Sequence, residues 1–599
     1  MKLSKKQKRL LIITGIIVGV LAVAVISINI FLATVIRGKI DEALNKNTTD
    51  YHISIKRVGV NILTGNLNIR GLKIIPDSSL INDVKQGKVN LKFIQHSEIG
   101  LFRIAGVDIY KAIVKGEIYA RKILFKDADI RIYKGPKPSK ALENLEDKSN
   151  DKFNPDSIYI AGLNKINLHE IDLIKCKLQI FDLEKDKKLF STGNLNLNLH
   201  SVDFVTHPDN PNVFRMKFSK FKAGLSVKSL LLPGGWYFLD VENLYYNNAD
   251  NFLQIDGLAL HPTYKDKYKM AKAFGYTKEI FDLDIDKIYI KSFDLFQTLV
   301  KNELIIDSIG ISGLDVSILK DKRYPFNTTL RPKLPNQQLK HLDFPVYIKT
   351  ISLKGGNLVY QEKMKDVKEL MTASMGNLDL DIRFVTSVKD SIRTGKPMKA
   401  VLKADFMKKV PLRIDFVFPL KRVKDTFYFS GSLGSAQLSV FNQASFPAIG
   451  LKFEKGRLNS LNFKGGANDS VSRGEMTMLY QDMAAEVVKK DRIKKNKFLS
   501  WAADAVSHTG NPGKKGKTRV AVMNFNRVMY KGFGNFMWKT LQTGIVNTVS
   551  PVGKTVKEDK SQKKQQKQKA EKQDQAKKQE KKKSKSKSKK KNKKSGRKK

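Results

Sequence analysis

Between residues 50 and 490 the dominant spacing of apolar side chains is two. Gly193-Asn194-Leu195-Asn196-Leu197-Asn198-Leu199 alternates without a break, and so do Gly376-Asn377-Leu378-Asp379-Leu380-Asp381-Ile382 and Phe281-Asp282-Leu283-Asp284-Ile285-Asp286. Looser alternation runs through Ile118–Tyr133, Leu304–Leu319, Tyr347–Tyr360 and Ala400–Phe418. Such alternation puts one face of a strand in an apolar environment and the other in water. Turn-forming residues at Thr64-Gly65-Asn66, Lys354-Gly355-Gly356-Asn357 and Gly431–Gly434 punctuate the runs, which predicts antiparallel hairpins. Helical spacing is scarce, with short helices predicted around Lys267–Phe274, near Lys363–Ser374 and over Phe498–Val506. The expected fold is mainly β.

The pattern repeats. Leu67-Asn68-Ile69-Arg70-Gly71-Leu72-Lys73-Ile74-Ile75-Pro76 returns as Leu253-Gln254-Ile255-Asp256-Gly257-Leu258-Ala259-Leu260-His261-Pro262, 186 residues further on. The same offset carries Tyr51 onto Tyr237, Asn61 onto Asn247, Asp108 onto Asp294, Glu117 onto Glu303 and Ile132 onto Ile318. A fixed period means an architecture laid down unit after unit. The two copies share alternation, glycines and a turn proline, while exposed polar positions differ, Arg70 against Asp256 being reversed in charge. The duplicated object is thus a length of sheet rather than a reactive site. The expected organisation is a first β unit over 37–236, a second over 237–397 and a C-terminal β segment over 398–550.

A long sheet with one apolar face has to cover it, and the predicted helices are too few. A second sheet would do so, giving β-sandwiches. Alternatively the sheet curls along its length, and its apolar face lines a groove open to an apolar ligand.

Composition adds a location. Leu10–Ile36 holds no charged residue, about 27 residues or roughly 40 Å of helix, enough to span a bilayer. Lys2, Lys5, Lys6, Lys8 and Arg9 precede it, which predicts an uncleaved anchor with residues 1–9 cytoplasmic and the rest exported. The net charge is +52. About +18 of it sits beyond residue 553, in a Lys-, Gln- and Ser-rich tail (551–599 as a segment) that cannot bury enough surface to fold. Outside the cytoplasm such a tail suits anionic lipid, lipopolysaccharide phosphates or other envelope polyanions, and nucleic acid is not an expected partner. The single cysteine, Cys176, excludes an intramolecular disulfide and reads as a small buried residue in a strand.

Val58-Gly59-Val60-Asn61 leading into Thr64-Gly65-Asn66-Leu67-Asn68-Ile69-Arg70-Gly71-Leu72 after one N-terminal anchor resembles the opening of AsmA-like envelope proteins. Gly456-Arg457-Leu458-Asn459-Ser460-Leu461-Asn462-Phe463, followed by Gly474-Glu475-Met476-Thr477-Met478-Leu479-Tyr480-Gln481-Asp482, is similar to that family's terminal β segment. The resemblance covers most of residues 10–550 and rests on pattern and order. It implies an inner-membrane anchor, an elongated, antiparallel, taco-like curled sheet in the periplasm, and a role in phospholipid transport or outer-membrane lipid balance. The Lys-rich tail lies outside the family pattern.

The residues expected to line the groove are Leu67, Ile69, Leu72, Leu195, Leu197, Leu253, Ile255, Leu258, Leu378 and Leu380, although sequence leaves the inward parity open. Phe533, Phe536, Met537, Leu541 and Ile545 recur at helical spacing beside Trp538. They form either a helix resting on a membrane, with Phe533, Phe536, Met537, Trp538 and Leu541 as its contacts, or a cap on the β structure. No catalytic constellation, cofactor or metal is expected: the eight histidines form no HxH, HxxxH or HExxH group. His261 replaces Ile75 of the first copy, as a strand-end residue. Gly510–Thr518 ends like a phosphate loop but has Asn511 where that motif needs glycine. The acidic pairs Asp108/Glu117 and Asp294/Glu303 read as solvated charges. A lipid-binding, lipid-conducting envelope protein is the function expected. The alternative is a non-catalytic scaffold of sandwich domains whose basic tail holds anionic polymers or a partner.

Overall fold

The computed structural model describes residues 50–556 apart from 136–157, 160–164, 488–508 and short stretches elsewhere. The apolar run 10–36, the tail beyond 556 and the expected helix Phe498–Val506 therefore lie outside the described residues. The chain divides into two units: unit 1 takes 1–326, 337–365 and 374–402, and unit 2 takes 327–336, 366–373 and 403–599.

Strand dominates both units. Unit 1 begins with β1 (Tyr51–Ser54), β2 (Arg57–Asn61), β3 (Asn66–Pro76), β4 (Phe93–Ala105), β5 (Glu117–Lys134), β6 (Ile158–Tyr159), β7 (Lys165–Asp182), β8 (Lys187–Ser191), β9 (Asn194–His207) and β10 (Asn210–Lys217). It continues through β11 (Lys222–Leu231), β12 (Tyr237–Asn247), β13 (Phe252–Pro262), β14 (Glu279–Lys291), β15 (Leu304–Asp321) and β16 (Val346–Lys363). Next along the chain come β17 (Leu370–Thr386) and β18 (Met398–Phe406). Helix α1 (Ser78–Lys85) joins β3 to β4, and α2 (Lys267–Phe274) joins β13 to β14. Helix α2 falls where helical spacing predicts it. Asp266 caps its N-terminus by accepting the Tyr268 N–H at 2.8 Å, and Gly275 closes it in the left-handed conformation.

The sequence repeat is a structural repeat. β13 and β14 lie 186 residues after β3 and β4, and β12 spans the positions of β1 and β2 at the same offset. In both copies a crossover follows: β5 pairs with β7 in parallel, and β15 pairs with β16 in parallel. The sheet is therefore mixed, a correction to the expected antiparallel one. The connections after Lys134 and Asp321 are long enough to carry the chain back to the starting end, which a hairpin turn cannot do.

Other expectations fail locally. Gly431–Gly434 is mostly not a turn, because Phe427–Leu433 is a strand that pairs on both sides through Gly431 and Ser432. Lys354–Asn357 is no turn but lies inside the 18-residue β16. There Gly355 (φ +67°) donates its N–H to Asp379 Oδ1 at 3.1 Å, an in-register bulge: both strands skip residues, the pairing keeps the same offset on either side, and the break needs the same left-handed residue as a turn. The helix near Lys363–Ser374 is instead the last residue of β16, a turn and the start of β17 at Leu370, so the two strands take the place of a run of good helix formers. Ala400–Phe418 forms two strands, because Met407 and Lys408 turn with φ of 54° and 57°.

Bulges of the β16 kind line up across unit 1. The buried or half-buried apolar positions step by three rather than two at Ile69/Leu72, Ile99/Phe102, Phe125/Ala128 and Leu173/Cys176. Gly71, Asp127 and Lys175, with φ of 63°, 53° and 54°, sit inside those steps, and ladder pairing skips Gly71, Gly100 and Asp127. The second copy does the same at Gly257, Asp286 and Gly313. One extra residue per strand keeps apolar side chains on one face before and after the bulge and bends the strand there. The partners even exchange: Gly100 faces Asp127 in the first copy, and Asp286 faces Gly313 in the second.

Unit 2 is an antiparallel sheet of β19 (Val410–Phe418), β20 (Phe427–Leu433), β21 (Ala436–Gln437), β22 (Leu451–Ala467), β23 (Val471–Val487) and β24 (Ala521–Asn526). Helix α3 (Phe533–Val549) lies against β23 and β24.

The bulge row is testable at Gly257, whose φ is +58°. Gly257→Val is expected to cost about 1–2 kcal/mol of stability through the left-handed backbone, and Gly257→Asn clearly less. Thermal melts of the two variants check the order; equal losses would mean that sterics, not backbone conformation, set the requirement.

Candidate apolar site on the sheet

The bulges decide the parity that the sequence leaves open. In the first copy Leu67, Ile69, Ile99, Phe102, Ile104, Ile123, Phe125, Ile130, Ile171 and Leu173 belong to one continuous apolar cluster, each at most 8% exposed. Phe102 and Phe125 touch ring to ring at 4.8 Å. Among the expected groove residues, Leu67, Ile69 and Leu195 are buried in this cluster, and Leu72, Leu197, Leu253 and Ile255 are half-buried against it. Leu258 and Leu380 are half-buried and Leu378 is buried. All of the expected positions are thus apolar contacts rather than solvated ones, and seven share a single cluster.

The two copies differ in how far this face is covered. Ile123 is 2% exposed, whereas its counterpart Ile309 is only half-buried, packed against the cluster of Ile306, Val346 and Ile348. The same contrast separates Phe102 from Ile288, Phe125 from Ile311, Ala128 from Leu314 and Ile130 from Val316. Ile288, Ile309, Ile311, Leu314 and Val316 were missed because their runs look irregular until the three-residue step across Asp286 and Gly313 is recognised.

The opposite face is polar and internally paired. Lys122 reaches both Asp172 and Glu170, the latter at 3.1 Å, and Asn198 bonds both carboxylates. The bond from Asp172 and the charge of both acids hold the Lys122 ammonium above its ordinary pKa. Arg103 donates to Asn68, and Arg131 to Asp129. His261 bonds Asp282 at 2.7 Å, and Lys267 reaches the same carboxylate at 2.8 Å. His261 is therefore part of a surface ion-pair group at the strand end.

Other candidate residues have structural partners. Cys176 is 2% exposed, and burial pushes its thiol pKa up, the opposite of a reactive cysteine. Asp108 and Asp294 accept the N–H of Lys111 and Gln297 respectively, capping local turns. Asn511 is fully buried: its amide donates to the Met478 and Arg519 carbonyls and accepts the Arg519 N–H, so the phosphate-loop lookalike is a clamp on β23. A concavity of about 490 Å³ lies among Asp415, Tyr428, Ser430, Lys464 and Glu475 of unit 2. Arg413 neutralises Asp415 there, and Lys464 approaches Glu475. Among the described residues no group of three or more metal-binding side chains converges.

Helix α3 turns most of its expected membrane contacts inward. Phe536 and Met537 are 1% and 8% exposed, and Phe533 packs its ring against Phe416 and Phe427, both at 5.5 Å. Leu541 is half-buried, while Trp538 is 52% exposed. Thr540 bonds Ser472, and a side chain at Gly544 would strike Met523 and Met476 within 3 Å. The helix also blunts an edge: Asn547 donates to the Val522 carbonyl and Thr543 accepts the Asn524 N–H. It covers unit 2, and Phe536 and Met537 are unavailable to a membrane. Among the described residues no helix is long and apolar enough to cross a membrane.

No protein-family model and no curated protein matches this chain.

The contrast between copies is testable at one residue type. Ile123→Ala is expected to cost about 3–4 kcal/mol, and Ile309→Ala about 1 kcal/mol. Denaturant melts of both variants read the difference; equal losses would mean that the second face is packed shut.

Proposed function

We propose that the chain is a membrane-anchored lipid-binding protein of the bacterial envelope, whose second β copy holds acyl chains on an apolar face left partly open. The observation that carries this reading is the incomplete burial of Ile288, Ile309, Ile311, Leu314 and Val316, at positions whose counterparts in the first copy form a closed core. Apolar surface left partly uncovered across two adjacent strands calls for an occupant. The opposite face is occupied by its own ion pairs, which leaves the apolar face as the one able to take a ligand without desolvating charge.

Three further features support it. The bulge row bends successive strands at one level, and a sheet bent in this way curls towards the groove-like form implied by the AsmA-like resemblance. The run 10–36 has the length and composition of an anchor, which brings the sheet to a lipid source. The apolar face offers no buried charge to hold a head group, so acyl chains are the part bound and head groups stay in water. Transport of phospholipid between membranes, or buffering of outer-membrane lipid, follows from such binding. The closed core of the first copy suits the scaffold alternative, in which the tail holds a polyanion or a partner.

Mass spectrometry of gently purified full-length protein is expected to find co-purified phospholipid, reduced several-fold in an Ile288→Asp, Ile309→Asp double variant that retains its sheet signal by circular dichroism. Removal of residues 553–599 should leave the bound lipid unchanged. Protein free of lipid before any substitution would sink the reading, and loss of a protein partner on tail removal would favour the scaffold.

A further inference from the structure

Ladder pairing puts several structures on one rim of unit 1. Tyr51 pairs with Pro76, Phe93 with Lys134, Lys134 with Asp182, Leu231 with Phe238, Tyr237 with Pro262, and Glu279 with Lys320. Helices α1 and α2, the turn between β11 and β12, and the point where the chain enters β1 therefore share this rim.

In the second copy the rim has a distinctive surface. The turn Leu231-Leu232-Pro233-Gly234-Gly235-Trp236 is apolar, with Pro233 exposed and Leu231, Leu232 and Trp236 only half-buried. The Trp236 ring is flanked by Tyr264 at 6.4 Å and by Phe274 of α2 at 4.5 Å, and Tyr264 is 39% exposed. Helix α2 buries Met270 and Ala271 and turns Lys269 and Lys272 outward, with Lys265 exposed just before it. These three lysines have no ion-pair partner among the described residues, whereas Lys267 of the same helix is held by Asp282. In the first copy the corresponding helix, α1, has no aromatic residue and a single lysine. The shared sheet was retained while this one helix and turn became aromatic and cationic.

We propose that this rim docks on an anionic bilayer surface, Lys265, Lys269 and Lys272 meeting head-group phosphates while Trp236, Tyr264 and the Leu231–Pro233 tip enter the interfacial layer. Ammonium groups beside amphipathic rings and an apolar tip are the chemistry of that layer, which is polar and anionic outside and apolar a few ångströms in. A nucleic-acid strand fits less well, since stacking needs free ring faces and those of Trp236 are taken by Tyr264 and Phe274. The inference rests on the membrane-anchor reading above, because the sequence after the apolar run 10–36 enters the sheet at Tyr51, on this same rim.

The test uses the full chain with Trp501→Phe and Trp538→Phe, which leaves Trp236 as the sole tryptophan. It is reconstituted into nanodiscs of phosphatidylcholine, or of phosphatidylcholine with phosphatidylglycerol, each containing lipid brominated near the head group. Trp236 fluorescence is expected to be quenched in the phosphatidylglycerol discs, with the quenching lost in high salt and on Lys265→Glu, Lys269→Glu, Lys272→Glu substitution. Those lysines are exposed, so the variant should keep its melting temperature. Quenching absent from every disc, unchanged by charge reversal, or abolished by a competing oligonucleotide would overturn the proposal. Chain that enters the discs and binds lipid but shows no quenching refutes the rim alone; chain that does not enter discs at all counts against the anchor and the rim together.

Discussion

Each long strand of unit 1 has to keep its apolar side chains on one face over as many as 18 residues while its backbone bends. A strictly alternating strand cannot do both. The chain meets the constraint by inserting one residue per strand at a common level, with a left-handed backbone at Gly71, Asp127, Lys175, Gly257, Gly313 and Gly355. A non-glycine residue there costs about 1–2 kcal/mol, so glycine or a residue with local hydrogen bonding is favoured. Lys175 fits this account, because its N–H is taken by Asn196 Oδ1 at 2.8 Å, just as Gly355 uses Asp379.

From that constraint the division of labour between the faces follows. The apolar face can run without interruption through both arms of each strand, and the polar face can pair its charges across strands, as Lys122 does with Glu170 and Asp172. Duplication then reproduces the geometry cheaply, since the bulge positions travel with the sequence. What the copies make of the same face differs: packed in the first, part-open in the second. Their helices also differ, α1 burying Leu80 and Val84, and α2 showing lysines outward beneath an aromatic cluster.

Some of this was legible in the chain. Period-two alternation located most long strands, helix α2 was readable from its spacing, and the 186-residue offset foretold two structurally matching sets of strands. The errors have physical causes. Glycine-rich Lys354–Asn357 was read as a turn because a bulge and a turn demand the same backbone conformation, and only the pairing on either side tells them apart. The segment after Lys363 has helix-favouring residues but turns and enters β17 at Leu370, because pairing in the sheet outweighs propensity. The parallel pairs leave no signature in the alternation, because a strand reads the same in sequence whichever way its partner runs.

By itself the sequence determined that the chain is mainly β, amphipathic, repeated at a fixed offset and strongly basic, since periodicity, glycine placement and charge are properties of neighbours along the chain. Tertiary structure alone decided which face each arm presents, because a left-handed residue inside a strand inverts parity and is told from a turn only once the strand is seen to pair on both sides of it. It alone separated Ile123, packed away, from Ile309, only half-buried at the corresponding position. Burial depends on what arrives from distant parts of the chain, and two stretches that share a pattern and a fixed offset receive different neighbours.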